Sequence, residues 1–599
     1  MGLIERLGAD ASYLLGAMRT LRLTVPIAKN PRRIFPLVIA ELAEKYGDAP
    51  ALMSDREQLS YRELSAQANR YARWAFDQGV RKGDTVCLLM SGRPEFLAVW
   101  IGITRIGGVT ALLNTNLVDS GLAYCINVVE PKHIVVEAQM FKSFESARAH
   151  LTGDAKIWLH GDAGADLPRI DRAVAALSGK DLAPSDRPAL TIEDRALYIY
   201  TSGTTGLPKA ANLNHYRVML ATHAFAGVMN TRASDRMYDC LPLYHTVGGL
   251  LATGAPLLRG GSVVIRDRFS AHEFWHDIAR WECTCFQYIG ELCRYLLHAP
   301  AQPEEHSHRL RFACGNGLRS DVWKQFQQRF RIPQIIEFYG ATEGNVTLFN
   351  FDGKEGAVGR LPWWLAHRFA IKIVRFDAER QLPERDERGF CIECAVDEVG
   401  EVIGKILSDP SQPGARFEGY ASQSETEHKI LHDVFEKGDV WFRTGDLMRK
   451  DKRGYFYFVD RLGDTFRWKG ENVSTTEVEL VLDQFDGILE ANVYGVAIEG
   501  RDGRAGMAAV AAKDNLDLVA LHGHLARRLP DYARPVFLRI RRDIDVTSTF
   551  KQKKLLLVQE GFDPACSGDP IYFNDPRRQA FVRMDGELYR DINAGKTRI

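Results

Sequence analysis

The stretch YIYTSGTTGLPKAANLNH, residues 198–215, breaks an apolar run with a string of small and hydroxylated residues. The pentad ALYIY before it has the length and composition of a buried strand. Where that strand ends, the chain must place Gly203 and Gly206, four hydroxyls (Thr201, Ser202, Thr204 and Thr205) and then Lys209. A strand stopping in such a loop presents backbone N–H groups at a sheet edge, and its glycines let main chain approach an anion closely. A phosphate is the anion that best suits this donor set. The spacing is not GxxxxGK[ST], because Pro208 stands where that loop has its second glycine. Kinase and P-loop NTPase chemistry are therefore disfavoured, and the phosphate contact must serve another reaction.

The surrounding chain implies an α/β architecture. Through about residue 440, short apolar runs such as DTVCLLM (84–90) and HIVVEA (133–138) alternate with helix-period segments such as PEFLAVWIGITRIGG (94–108). In the last of these, Phe96, Val99, Trp100, Ile103 and Ile106 recur at helical spacing. Such alternation predicts layered, largely buried sheets, with ligands gathering at strand C-terminal ends. At 599 residues the chain is long enough for at least two domains. The strand-like YFYFVD breaks into a charged, glycine-containing turn within VDRLGDTFRWKGEN (459–472). Beyond it TTEVELVLDQF and LVALHGHLARRLP read as amphipathic helices and NVYGVAI as a strand. The expected organisation is a basic amphipathic segment over 1–45, a large multi-layered N-terminal domain with mixed sheets over 46–461, and a small mobile α+β C-terminal domain over 462–599.

Charge narrows the functions open to such a fold. Lys plus Arg and Asp plus Glu number 77 each, which gives no support to nucleic-acid binding. Ten cysteines are scattered, and the CxxC of Cys391 to Cys394 sits in the apolar run GFCIECAV with no second pair. It reads as buried thiols in a reducing compartment rather than as a zinc site. No segment reaches the roughly 18 to 20 apolar residues that span a bilayer. The first 35 residues interleave Leu3, Ile4, Leu7, Leu14, Leu15, Met18 and Leu21 with Arg6, Arg19, Arg22, Lys29, Arg32 and Arg33. That pattern admits two readings, a helix lying on an anionic membrane surface and a helix packed on its own domain. The expected location is cytoplasmic, peripheral at the inner membrane face; oligomeric state stays open, a homodimer included.

The run YTSGTTGLPKAA (200–211) resembles the signature of the adenylate-forming superfamily, which includes acyl-CoA synthetases and luciferases, and further segments resemble it in the superfamily's order. The resemblance implies that the loop Tyr200, Thr201, Ser202, Gly203, Thr204, Thr205, Gly206 and Lys209 holds the phosphates of ATP. It implies that His245 of LPLYHTVGGL sits beside the substrate carboxylate and that Gly315 of CGNGLRS lines the adenine pocket. From EFYGATEGN, Tyr339 stacks on the base, Thr342 meets the α-phosphate, and Glu343 holds Mg²⁺ together with Thr204. A carboxylate and a hydroxyl are donors that magnesium accepts. Asp446 is assigned the ribose hydroxyls, Arg461 the ribose and phosphates, and Lys551 of TFKQKK the catalytic lysine, with Lys553 and Lys554 close by. Leu462 and Gly463 fall at the hinge, and Gly470 flanks the pantetheine tunnel of coenzyme A.

The strings DRLGDTFRWKGENVSTTEVE and TFKQKK, with the tail PIYFNDPRRQAFVRMDGELYRDI, are similar to the fatty acid transport protein or very-long-chain acyl-CoA synthetase branch. That resemblance implies a fatty acid:CoA ligase working through an acyl adenylate, with ATP, Mg²⁺ and CoA, and releasing AMP and pyrophosphate. Two alternatives stay open. One is a fatty acyl-AMP ligase serving a carrier protein; the other is a lipid transport component with vestigial catalysis.

Overall fold

The computed structural model describes the chain apart from residues 1–2, 184–185, 202–207, 367–368, 378–379, 381, 408–415, 463, 470, 502, 515 and 547–551. It divides into two compact units. The larger comprises Met1–Pro362, Gly404–Leu431 and Val440–Phe442, and the smaller Trp363–Ile403, His432–Asp439 and Arg443–Ile599.

Two sheets organise the larger unit. In the first, the strands run in the order Lys156–His160, His133–Glu137, Thr85–Leu89, Val109–Leu112, Arg195–Thr201, Lys209–Asn214, parallel until the last, which turns back antiparallel. The central strands read TVCLL, HIVVE and VTAL because helices and loops cover both faces of a parallel sheet and leave no solvent side for polar residues. The helix Pro94–Arg105 makes the crossover between Thr85–Leu89 and Val109–Leu112, opening on a proline at its first turn. Its periodicity predicts one buried face, yet all its residues are buried. Its buried acid is accommodated by partners: Tyr71 donates its hydroxyl to Glu95 Oε1 at 2.5 Å, and Gln67 Nε2 donates to the same oxygen at 2.9 Å.

The second sheet has eight strands. Its parallel middle contains Ile335–Gly340, Phe312–Asn316, Cys285–Ile289, Arg236–Asp239, Ser262–Ile265 and Pro50–Met53, closed by antiparallel edges at Thr347–Asn350 and Gln58–Ser60. The segments holding Thr201, His245, Gly315, Tyr339 and Glu343 all lie at or just past strand C-terminal ends in these two sheets, where an open α/β sheet leaves room for a ligand.

The N-terminal helix Leu3–Lys29 packs on this unit by one face only. A side chain at Gly16 would put its Cβ 2.3 Å from the Phe351 ring, and one at Gly227 would fall 2.6 Å from Thr20 Cα, so both glycines are needed for the close approach. Tyr13 stacks edge-on against Phe351, Arg19 Nε donates to the Gly227 carbonyl at 3.2 Å, and Asp10 pairs with Arg360 at 2.6 Å. The opposite face leaves Leu7, Leu14, Leu15, Met18, Leu21 and Val25 between 47% and 60% exposed. Among the described residues no helix is long and apolar enough to cross a membrane.

The smaller unit is built on a five-stranded sheet ordered Ile488–Val496, Ala505–Ala512, Phe537–Arg541, Ile571–Asp575, Ala580–Arg583. Leu482 from the helix Thr475–Asp483 and Leu521 and Leu525 from Leu518–Arg528 join its core. Ser474 starts the first of these helices by accepting from Glu477 N, the role its side chain plays at an N-cap. The two units divide at Phe442/Arg443, inside the strand Val440–Lys450, whose later part pairs with Tyr455–Arg461 within the smaller unit. Cys391 is buried and Cys394 half-buried, both as free thiols. Among the described residues no group of His, Cys, Asp and Glu is arranged to hold a metal ion.

Candidate nucleotide site

The glycine-rich stretch joins two antiparallel strands, Arg195–Thr201 and Lys209–Asn214, with Thr201 opposite Lys209. A strand–loop–strand connection differs in kind from the strand–loop–helix of a P-loop. Ser202, Gly203, Thr204, Thr205 and Gly206 lie outside the described residues. Tyr200 is buried and donates its hydroxyl to the Cys125 carbonyl at 2.5 Å, so its side chain serves the core, leaving only main chain to offer a ligand.

One segment with no distinctive spacing, EGYASQSETE (418–427), organises the two ends of this site. Asn212 N donates to the Gly419 carbonyl at 3.0 Å and Ala421 N to that of Ala210 at 2.9 Å, which lays the segment along the returning strand. Glu425 then pairs with Lys209, whose ammonium stands 5.7 Å from the Tyr420 ring. The Tyr420 hydroxyl donates to Glu343 Oε1 at 2.5 Å. The Gly-Tyr pair followed by hydroxyls and carboxylates was its only sequence signal, and it has no periodicity to distinguish it from a surface turn.

Thr342 and Glu343 are held from below by Arg217, whose Nη2 donates to the Thr342 carbonyl at 2.9 Å and the Gly344 carbonyl at 2.5 Å. Arg217 comes from the first turn of the helix His215–Val228, which Asn214 caps by accepting from Arg217 N at 2.9 Å. The His245 segment meets the same turn through Thr246 Oγ1 and Thr342 Oγ1, 3.0 Å apart. The His245 ring lies 4.7 Å from that of Tyr244, which Asn116 Nδ2 contacts at 3.2 Å. Burial lowers the His245 pKa to about 4, so its imidazole is neutral at physiological pH.

A third group of residues shapes the Gly-Asn-Gly turn. Gly315 has no room for a side chain, since a Cβ there would come 2.3 Å from the Tyr288 carbonyl oxygen. Gly317, at φ +87°, donates its N–H to Glu337 Oε1 at 2.6 Å, and Leu318 N donates to the same oxygen at 3.1 Å. Glu337 also accepts from the Tyr288 hydroxyl, and burial raises its pKa to about 8 against those three donors. Tyr339, two residues on, is half-buried at the end of its strand. Glu337 was missed because a lone acid inside an apolar strand announces no role.

In the smaller unit, Asp446 and Arg461 face each other across the antiparallel ladder, with Nε of the arginine 3.5 Å from Oδ1 of the acid. Lys551 and Gly470 lie outside the described residues. Of the other two lysines in TFKQKK, Lys553 is exposed, whereas Lys554 is inserted among carboxylates, with Glu479 Oε1 at 3.3 Å. Lys554 is thereby committed within its own unit.

The larger unit thus links Lys209, Glu343 and the neutral imidazole of the His245 segment through Tyr420 and the Thr246–Thr342 contact; the Asp446–Arg461 pair belongs to the smaller unit. Glu343 is buried and fixed by Tyr420 through one oxygen, and a carboxylate is a hard donor of the sort magnesium accepts. Comparison with known proteins agrees in class. The family profile described as AMP-binding enzyme matches residues 39–392, and that of the AMP-binding enzyme C-terminal domain matches residues 477–551. The chain therefore belongs to the AMP-binding enzyme family, the adenylate-forming enzymes. Within that family its similarity is to the fatty acid transport proteins. Long-chain fatty acid transport protein 1 of Mus musculus is 40% identical over 595 residues, covering 97% of this chain and 91% of that protein. Long-chain fatty acid transport protein 6 of Mus musculus is 41% identical over 545 residues, covering 90% and 87%. The fold is that of the anthranilate CoA ligase AuaEII in complex with anthranoyl-AMP, at a TM-score of 0.75 and 20% identity over 88% of this chain and 98% of that one.

Proposed function

We propose that the protein activates long-chain or very-long-chain fatty acids with ATP and transfers the acyl group to coenzyme A, releasing AMP and pyrophosphate, at a membrane surface. The observation that carries this reading is the convergence of the His245, Thr342 and Glu343 segments, held together by Arg217 and the Thr246–Thr342 contact. The fatty-acid substrate class is supported by similarity to the transport proteins of that name.

The chemistry follows from the difficulty of the reaction. A carboxylate is a poor acyl donor because oxide is a poor leaving group, and adenylation replaces it with AMP. Attack of the substrate carboxylate on the α-phosphate builds charge on phosphoryl oxygens, and donors preorganised for that charge lower the barrier. The 201–209 loop supplies N–H groups and hydroxyls, Thr342 a further hydroxyl, and Lys209 and Lys551 positive charge. Glu343 and Thr204 would hold magnesium, which would supply charge neutralisation at the phosphates. His245, neutral at working pH, offers the substrate carboxylate a ring N–H without acting as a fixed cation. Asp446 and Arg461 hold the ribose. Thiol attack on the acyl adenylate needs a different set of groups at the same carbonyl, and rotation about 462–463 exchanges the Lys551 segment for that of Gly470.

Membrane contact is assigned to the exposed leucine face of Leu3–Lys29. The test is pyrophosphate release over carboxylic acids of increasing length, with and without CoA. Release that rises with chain length, together with acyl-CoA formation, supports the reading. Adenylate formation without acyl-CoA would replace it by an acyl-AMP ligase, and no pyrophosphate from any acid by a binding protein.

A further inference from the structure

In the smaller unit, carboxylates from before and after residues 462–463 converge on one ammonium. Lys554 stands at the start of the helix Leu555–Glu560 and extends Nζ to Thr475 Oγ1 at 2.8 Å, Glu479 Oε1 at 3.3 Å and Asp464 Oδ2 at 3.9 Å. Asp460 completes the group. Its Oδ2 accepts from Thr475 N at 2.6 Å and from Thr475 Oγ1 at 3.2 Å, and its Oδ1 from Arg461 N at 2.8 Å. Asp460, Thr475 and Glu479 are buried, and the Lys554 side chain is 17% exposed. Burial opposes the lysine's charge, but Glu479, Asp464 and Asp460 outweigh it and raise its pKa.

The residues before Lys554 are fastened as firmly. Gln552 Nε2 donates to the Ala491 carbonyl at 2.8 Å and to Glu490 Oε1 at 3.1 Å. Asn492 Nδ2 donates to the Lys553 carbonyl at 3.2 Å, and Lys553 N to that of Asp545 at 2.8 Å. The chain following Lys551 is therefore pinned within three residues to the strand Ile488–Val496, to the helix Thr475–Asp483, to Asp464 and, through Thr475, to Asp460.

A buried ion cluster of this kind is a poor source of stability, because desolvation offsets much of the attraction. Its value lies in fixing register. A lysine acting in catalysis has a long flexible side chain, and a displacement of about 1 Å costs on the order of 100-fold in rate. We propose that Lys554 is a positioning residue for adenylation. It ties the chain following Lys551 to the chain flanking residues 462–463 through Asp460, Asp464, Thr475 and Glu479, and it does not itself touch the nucleotide. This rests on the reading of Lys551 as the adenylating lysine and of 462–463 as the hinge.

The test measures the two half-reactions separately in the full chain: pyrophosphate release, and thioester formation from supplied acyl adenylate. Lys551→Ala is the reference and should depress only the first. Lys554→Met should lower the kcat of the first by about 10- to 100-fold, leave its KM for ATP unchanged, and leave the second within about twofold. Asp464→Asn removes the most exposed carboxylate without stranding a buried charge, and should lower the first half-reaction severalfold with an unchanged melting temperature; it decides the matter if Lys554→Met does not fold. Separation by Lys551→Ala, with both other variants slowing the two halves equally or neither, overturns the role of Lys554 alone. Equal loss of both halves in Lys551→Ala overturns the lysine assignment, and this proposal with it.

Discussion

Glu337 shows how one residue can be decided by opposing terms. Gly317 N, Leu318 N and the Tyr288 hydroxyl all favour its carboxylate, yet complete burial outweighs them and lifts the pKa from 4.5 to about 8. A carboxyl whose folded-state pKa lies above its unfolded value contributes stability that is full below about pH 4.5 and lost as pH rises through about 8. Glu337→Gln keeps an oxygen for the two N–H donors and has no proton to lose. Melting curves from pH 6 to 9 should show the wild type losing stability relative to the variant as pH rises. Parallel curves would show that Glu337 ionises normally. His245 works in the other direction: with its pKa lowered to about 4, its share of stability is present above about pH 6.5 and is lost as pH falls towards 4.

At the scale of elements, the strands were legible because burial on both faces leaves an unbroken apolar signature, as in TVCLL and HIVVE. The glycines and hydroxyls between Thr201 and Lys209 gave the loop its own sequence signal, and residues 202–207 lie outside the described residues. The segment 418–427 was not, since its role comes from lying beside Lys209–Asn214, a pairing with a partner some 200 residues away that leaves no local pattern. Arg217 was hidden likewise, because a cation in the first turn of a helix looks like surface until its carbonyl partners are seen. The N-terminal helix was ambiguous for a sound reason. One face packs through Tyr13, Gly16 and Thr20, and the other presents leucines to solvent. An exposed apolar stripe on an element otherwise seated on its domain marks an interaction surface. Replacing Leu14, Met18 and Leu21 together by Ser should weaken binding to anionic vesicles by about tenfold or more while leaving the melting temperature unchanged. Deleting the first 35 residues is a poorer test, because it also uncovers the surface around Gly227. Undiminished vesicle binding by the triple variant would leave the stripe without a membrane role.

Over the whole molecule, the thiols lie mostly inside. Of ten cysteines, eight are buried, Cys394 is half-buried and Cys566 is exposed. Native protein should release at most two equivalents in a thiol titration, rising to ten in one cooperative step on denaturation; early release of further thiols would show that the folded state opens locally. Equal numbers of acids and bases leave no net formal charge, so the chain exerts little long-range pull on a polyanion. Lys209 is moreover already satisfied by Glu425. On the proposed function, triphosphate reaching Lys209 displaces a resident carboxylate, so binding there is an ion exchange, and part of the intrinsic attraction is spent on the swap. Glu425→Gln should accordingly lower the Kd for ATP severalfold and steepen its dependence on salt, whereas an unchanged Kd would mean that Lys209 never leaves its acid. In a cell crowded with phosphate esters, such a resident carboxylate acts as a selectivity threshold: ligands that offer a single weak phosphate contact fail to dislodge it, and only those gripped at several points at once gain entry.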